Sequence, residues 1–590
     1  MTGFEIQRVP FDKTAVRSWT KSNPRHRNWP VVYLIDAEST RKPSTGFKDV
    51  YVGETLNAGA RVLQHLDSPG KQHLTQVRVV LDDTFNKSVC LDLESHLIRL
   101  LAGDGTYRVL NRNEGITDSA YYDREVYRES FREVFDTLRD EGVFTRSVPE
   151  IENSDLFKLS PYKALTQDQA IAVEDIVEGL FDDLVKGLGE LLVVQGEPGT
   201  GKTVVAIYLM KLLADIAASK PDDEPDADSI FADFFTDDHR RALRDFRVGL
   251  VVPQQSLRES IRRVFKRTPG LHPSQVMTAF QAGESEQPWD LLIVDEAHRL
   301  NQRANQSSGG QNKKFKDITT KLFGADDISK TQLDWIRARS RHQILMVDPE
   351  QSVRPADLAP EMLRKLVGWA KDDGRHYPLV SQMRVRAGEE YIGWIRSIFR
   401  PGTPETDAPP PAPRTFQDYD LRFFDDLGEM HDAIRARDAE HGLARLVAGY
   451  AWPWVSKGSA DLHDIELDGR LLRWNSTDTD WIASPGSLDE VGSIHTVQGY
   501  DLNYAGVVIG RDLEWVPETE RLVVNRAGYF DKKGKENNPT LGLSYSDEDL
   551  ARYICNVYVV LMTRGIRGTY VYVCDENLRE RIANLMESPA

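Results

Sequence analysis

Cysteine is nearly absent. Cys90, Cys555 and Cys574 are the only three in 590 residues, too few and too scattered for a disulfide framework or a zinc site with paired ligands. Each is expected to be a small buried hydrophobe. Long apolar runs are missing too: nothing approaches the ~18 consecutive apolar residues of a membrane span, and the opening MTGFEIQRVPFDK has no signal-peptide apolar core. A cytoplasmic protein with no membrane partner is expected. Positive charge is in deficit. A formal charge of −18 excludes a protein that coats nucleic acid over its whole surface, while leaving room for a local basic track. Residues 1–120 are close to neutral, so the acidic excess lies further on, part of it in PDDEPDAD at 221–228, which reads as a solvated loop.

What is present is ordinary globular composition, 40% hydrophobic and 28% charged, with a length of roughly four units at about 150 residues each. Strand-length apolar runs alternate with helix-length amphipathic segments from about residue 30 onward, the pattern of an α/β protein with largely parallel sheets. Residues 121–142 read as a charged helix followed by an irregular stretch, and 400–416 as a proline-rich linker or external crossing. The polar stretch 301–317 is expected to be a mobile loop.

The segment LLVVQGEPGTGKTVVAIYLM places a strand, then Gly196, Glu197, Pro198, Gly199, Thr200, Gly201, Lys202 and Thr203, then a helix. Glycines let successive backbone N–H groups cradle phosphates, Lys202 reaches the terminal phosphates, and the Thr203 hydroxyl ligates magnesium. In WDLLIVDEAHRL a second strand ends in Asp295, suited to holding the magnesium, and Glu296, suited to activating water. ILMVDPEQSV ends a third strand in Asp348 and Gln351, a pair placed to sense the terminal phosphate. Arg384 ends LVSQMR, and Arg564 and Arg567 lie in VYVVLMTRGIRGTYVYV, read as two apolar strands; guanidinium groups suit the charge that develops in phosphoryl transfer. SIHTVQGYDLNYAGVVIG supplies His495, Thr496, Gln498 and Gly499, and LTQDQ offers Gln169 as an adenine reader. Trp452, Trp454, Trp474 and Trp481 are expected in the core more than in base stacking.

This ordered set resembles the superfamily 1 DNA/RNA helicases, and most of all the schlafen group 3-like helicase family, through ARLVAGYAWPWVSK, VQGYDLNYAGVVIG and NVYVVLMTRGIRGTYVYV. The resemblance spans roughly residues 155–585. It implies two RecA-like lobes, 161–375 and 376–590, that sandwich ATP and magnesium while nucleic acid crosses both. Gln169, the loop 196–203, Asp295, Glu296, Gln351, Arg384, Arg564 and Arg567 would form the nucleotide site. Translocation is better implied than strand separation. Lys313, Lys314, Lys316, Arg258, Arg262 and Arg263 are candidates for a basic track.

Near the start, NWPVVYLID and KDVYVGET read as strands carrying Tyr33 and Tyr51, NAGARVLQHL places Arg61 and His65 on one helical face, and KSVCLDLESHLIRLLAG is a helix containing Glu94, with Asn111 after it. Together these have the composition of a phosphodiesterase site: Glu94 to hold a cation, Arg61 to clamp phosphate, and a tyrosine or His65 to deprotonate water. The order resembles the GIY-YIG nuclease family, loosely at Val32-Tyr33-Leu34 and closely at Tyr51-Val52-Gly53. The resemblance implies that Tyr33 and Tyr51 shape the catalytic wall, Arg61 stabilises the phosphate, Glu94 binds a second magnesium and Asn111 closes the site. The implied architecture is a small α/β nuclease domain (1–120), a helical connector (121–160) and the two ATPase lobes. It would be an ATP-coupled endonuclease acting on DNA in preference to RNA, in bacterial restriction or anti-phage defence with an unidentified system partner, or in DNA repair. The other reading is an ATP switch whose N-terminal domain binds nucleic acid without cutting.

Overall fold

The computed structural model describes residues 3–37, 46–112, 121–220, 230–303, 309–349, 351, 354–382, 385–400, 411–459, 461–477, 481–497 and 500–586. Arg384, Gln498, Gly499 and the acidic run 221–228 lie outside the described residues. The chain divides into two compact units that are interleaved along the sequence. One comprises Met1–Asp182, Ile207–Asp245 and Ser260–Gln275; the other comprises Asp183–Ala206, Phe246–Glu259 and Val276–Ala590.

In the first unit β1 (Glu5–Pro10), β2 (Val31–Asp36), β3 (Lys48–Thr55), β4 (Gln76–Leu81) and β5 (Tyr107–Val109) form a sheet in the order β1-β4-β2-β3-β5. Only the β3–β5 pair is parallel. Every residue of β2 is buried, as a central strand covered on both faces requires. Its side chains alternate between two cores. Val32 and Leu34 join Leu93, Leu97, Phe131 and Phe135; Val31, Tyr33 and Ile35 join Val16 and Val62 on the opposite face. Helices Ala58–Leu66 and Lys87–Asp104 supply those two coverings. The segment read as a connector contributes Phe131, Val134, Phe135, Leu138, Phe144 and Ile151 to the first of these cores.

The second unit contains two lobes built as the α/β pattern predicts. In the first, β6 (Leu191–Gly196), β7 (Val248–Val251), β8 (Val276–Met277), β9 (Trp289–Val294), β10 (Ser340–Val347) and β11 (His376–Leu379) run in the order β11-β6-β10-β9-β7-β8. All are parallel. The second lobe has β12 (Asp420–Phe423), β13 (Ala444–Ala448), β14 (Ile465–Leu467), β15 (Arg470–Trp474), β16 (Glu490–Ser493), β17 (Leu502–Ile509) and β20 (Gly565–Val573), ordered β12-β20-β17-β13-β16-β15-β14. Strands β18 (Leu513–Val516) and β19 (Arg521–Val524) form a separate hairpin. Trp474 and Trp481 are buried and Trp452 and Trp454 pack against the same core as Trp474, as expected, and all three cysteines are buried and free. No described helix is long and apolar enough to cross a membrane.

Two local expectations are corrected. VYVVLM is not a strand but the end of helix Asp547–Met562, whose residues 557–562 are all buried; a helix enclosed on every side tolerates the β-branched run that suggests a strand. Arg564 therefore follows a helix, and Arg567 lies inside β20. Residues 309–317 are not a loop but the start of helix Gly309–Phe323. Phe315, Ile318 and Leu322 recur at helical spacing and pack on Trp335, which outweighs the glycines and charges that suggested a loop. Trp335 is fully buried, lies 4.2 Å from the Phe315 ring and donates to Thr319 Oγ1 at 3.1 Å. Trp335→Ala should cost about 3–5 kcal/mol, seen as a lower urea midpoint for loss of near-UV circular dichroism.

Candidate active sites

The first constellation sits at the carboxyl ends of the first-lobe strands, where parallel sheets place their ligands. β6 ends in Gly196, and a Cβ there would lie 2.3 Å from Thr200 Oγ1, so only glycine lets the loop fold this tightly. Gly199 and Gly201 both take positive φ, 89° and 80°, conformations that favour glycine. Lys202 is buried and donates to the carbonyls of Gly196 at 2.7 Å and Glu197 at 3.1 Å. The Thr203 hydroxyl donates to Asp295 Oδ2 at 2.8 Å. A hydroxyl and a carboxylate in contact, both oxygen donors, fit a hard divalent cation. Asp295 has no exposed surface; burial and then the neighbouring Glu296 push its acid up, against the Thr203 hydrogen bond and Lys202.

Glu296 takes φ 49° and ψ 48°, a left-handed conformation that costs a non-glycine residue about 1 kcal/mol or more and concentrates at functional sites. His298 Nδ1 accepts from the Asp348 amide at 3.3 Å, so Nε2 carries the proton and faces Glu296 Oε2 at 3.0 Å. Burial would raise the Glu296 acid, but His298, Lys202 and Arg299 outweigh it and hold the carboxyl well below its usual range. Gln351 Nε2 donates to Asp348 Oδ2 at 2.7 Å, tying the expected pair together. Gln169 is fully buried, and its Oε1 accepts from the Thr166 amide at 3.1 Å. Arg564 is buried with Nη1 on the Tyr500 carbonyl at 3.2 Å, while Arg567 exerts its charge on His441 and Tyr504. Two residues absent from the sequence reading touch the loop: Gln382 donates to the Pro198 carbonyl at 2.7 Å, and Arg396 pairs with Glu197. Both come from nearly two hundred residues away, and no local spacing marks them. Of the candidate basic track, Lys314 pairs with Glu284 at 2.7 Å, Arg258 donates to the Val252 carbonyl at 2.9 Å and Arg263 pairs with Asp155 at 2.8 Å; Lys313 and Lys316 are exposed.

The second constellation lies in the first unit. Tyr33 on β2 and Tyr51 on β3 approach within 6.3 Å between ring centroids, and His65 lies 4.7 Å edge-on to Tyr51. Tyr33 Oη and His65 Nε2 are 2.8 Å apart. A Cβ on Gly53 would stand 2.3 Å from Tyr33 Oη, which explains the glycine two residues after Tyr51. Arg61 donates to Gln64 Oε1 at 2.8 Å; burial raises the Tyr33 hydroxyl well above its ordinary value, with Tyr51 and Glu94 acting in the same sense and Arg61 against it. Three of the predicted groups, Tyr33, Tyr51 and His65, thus meet, with Arg61 and Glu94 near enough to act on Tyr33. Asn111 serves the sheet, accepting from the Val52 amide at 3.1 Å and donating to its carbonyl at 2.8 Å. No group of three or more His, Cys, Asp or Glu residues suited to a metal occurs among the described residues, so Glu94 belongs to no cluster of that size. Lys71, not singled out in the sequence, lies 2.9 Å from His65 Nδ1 and 3.1 Å above the Tyr51 ring.

Burial, then Lys71, then Arg61 hold His65 down to about 2 from 6.5. Folded protein therefore keeps His65 neutral where the unfolded chain protonates it, and stability falls as pH drops below 6.5 by about 1.4 kcal/mol per pH unit from this group. Above pH 6.5 the group contributes no slope. Urea titrations of wild type and His65→Gln between pH 7.5 and 4.5 should differ in slope by that amount; parallel curves would contradict the assignment.

Residues 189–575 match the model of the Schlafen group 3, DNA/RNA helicase domain. The uncharacterized Saccharomyces cerevisiae protein YPL245W is 26% identical over 422 residues, covering 66% of this chain and 83% of the yeast protein. Among solved structures, Arterivirus nonstructural protein 10 (helicase), alone and in a complex with DNA, is 14% identical with a TM-score of 0.27 in both cases. These matches cover 68% and 69% of this chain, which spans 64% and 65% of those structures' length. With the matched domain extending over well more than half of its residues, the chain belongs to the Schlafen group 3 DNA/RNA helicase-domain family.

Proposed function

We propose that this protein is an ATP-driven nucleic-acid translocase that carries its own phosphodiesterase. The observation that carries the motor half is the contact between Thr203 and the buried Asp295 beside a glycine-turned loop, in a chain of a helicase-domain family. Lys202 binds the terminal phosphates, Thr203 and Asp295 hold magnesium, and Gln169 reads adenine. Glu296, oriented by the His298 Nε2–H, positions and deprotonates the attacking water, and Gln351 reports the terminal phosphate through Asp348. Arg384, Arg564 and Arg567 supply positive charge from the second lobe. Magnesium supplies charge neutralisation at the phosphate oxygens.

The cutting half is supported by the meeting of Tyr33, Tyr51 and His65, with Arg61 and Glu94 near enough to act on Tyr33. In a GIY-YIG-like site, Arg61 clamps the scissile phosphate, Glu94 holds a second magnesium and the tyrosines line the path of the attacking water. DNA is the favoured substrate, and a cutter joined to a motor suits restriction or anti-phage defence.

Lys202→Ala should reduce ATP hydrolysis by about 100-fold or more, since it removes a phosphate-binding cation from a preorganised site; phosphate release assays with and without single-stranded DNA read this directly. Glu94→Ala should abolish magnesium-dependent cleavage of plasmid or single-stranded DNA on gels while leaving ATP hydrolysis intact. Cleavage unchanged in Glu94→Ala would refute the cutting site. Wild type that hydrolyses ATP on nucleic acid but cuts no DNA or RNA would make the N-terminal domain a binding module.

A further inference from the structure

Lys71 has no role in the reading above, yet it sits behind the tyrosine pair. It belongs to the short turn Pro69–Lys71 after the helix that carries Arg61 and His65. Its Nζ lies 2.9 Å from His65 Nδ1 and 3.1 Å above the Tyr51 ring centroid. An ammonium has three N–H donors and no acceptor, so the short contact with Nδ1 requires that nitrogen to be the lone-pair side of a neutral ring. The proton then resides on Nε2, which stands 2.8 Å from Tyr33 Oη. The ammonium over Tyr51 is a cation–π contact, and it anchors Lys71 where its N–H can reach the imidazole.

We propose that Lys71 is a positioning residue of this site: it fixes His65 as the neutral Nε2–H tautomer, making His65 a hydrogen-bond donor to Tyr33 and not the base that takes the proton of water. The proposal rests on the phosphodiesterase reading only for its consequence in catalysis; the tautomer follows from the two contacts themselves. With His65 donating to Tyr33 Oη, the tyrosine oxygen accepts on that side and its own O–H points elsewhere. The charged and titratable groups around His65 are Lys71 from the turn, Arg61 from its own helix, and Tyr33 and Tyr51 from the sheet, with Glu94 reaching Tyr33 from the opposite helix. Both cations oppose protonation of the ring, and the burial of His65 acts in the same sense.

The tautomer is read by nuclear magnetic resonance of the full-length protein labelled with 15N-histidine, the His65 signals being those lost in His65→Gln. Wild type at pH 7.5 should show a protonated Nε2 and an unprotonated Nδ1. Lys71→Met keeps the aliphatic stem but removes the donor; it should convert His65 to a mixture of tautomers and lower kcat for cleavage about 10-fold or more with little change in KM. Lys71→Arg, which restores a cation and a donor, should recover both readouts. The pH–rate profile of wild type should show no inflection from His65 between pH 5.5 and 8, whereas Lys71→Met should acquire one. A wild-type Nδ1–H tautomer, or an unchanged tautomer in Lys71→Met, overturns the proposal. Absence of cleavage in wild type with the Nε2–H tautomer present and lost in Lys71→Met would overturn the phosphodiesterase reading and leave the role of Lys71 in fixing the ring standing.

Discussion

A carboxylate with no exposed surface must be compensated where it lies, and Asp295 sets that demand for the ATPase lobes. It sits at the end of β9, a strand whose last four residues are buried, so the sheet removes it from water and leaves only local groups to stabilise its charge. The Thr203 hydroxyl meets it directly, from the loop that follows β6. Since β10 lies between β6 and β9, the contact spans two strand spacings, and the loop must lean across the sheet edge to make it. The close fit at Gly196 and the positive φ of Gly199 and Gly201 are the backbone conditions for that lean. The strained Glu296 follows from the same geometry: one residue after the strand, the chain turns left-handed and brings its carboxylate to His298.

The tyrosine site solves a different electrostatic problem. Here the buried groups are neutral, and the cations stand around them. Tyr33 and His65 are both pushed toward their uncharged forms by burial, with Arg61 and Lys71 placed so that added positive charge on the imidazole is disfavoured. Burial acts in the same sense at both sites, toward the uncharged form; what differs is the company, Glu296 and Lys202 beside Asp295, and Lys71 and Arg61 beside His65.

The phosphate loop and the strands that end in Asp295 and Asp348 were legible because each depends on neighbours in sequence: an apolar run, a turn with glycines, a helix. Tyr33, Tyr51, Arg61, His65 and Glu94 were legible as a set because their order matched two strands and two helices that do form. The N-terminal strand Glu5–Pro10 was not read, because its mostly half-exposed residues lack the alternation of a half-buried strand. Residues 557–562 and 309–317 were misread, since β-branched runs and glycine-containing polar stretches carry only weak local preferences that packing overrides. Lys71, Gln382, Arg396 and the internal pairing of Arg263 with Asp155 depend on contacts between distant segments, and nothing in their own neighbourhoods announces them.

The two units are interleaved along the sequence. A domain strung like a bead can be exchanged by one recombination event at a linker. Here the unit that holds the tyrosine site also takes Ile207–Asp245 and Ser260–Gln275 from within the helicase-like segment, and Asp155 is tied to both Ser260 and Arg263. No single breakpoint frees one unit intact. A cut at any one position therefore leaves part of one unit on the far side of the break, and Asp155 would lose its partners Ser260 and Arg263 in any piece that ends before them.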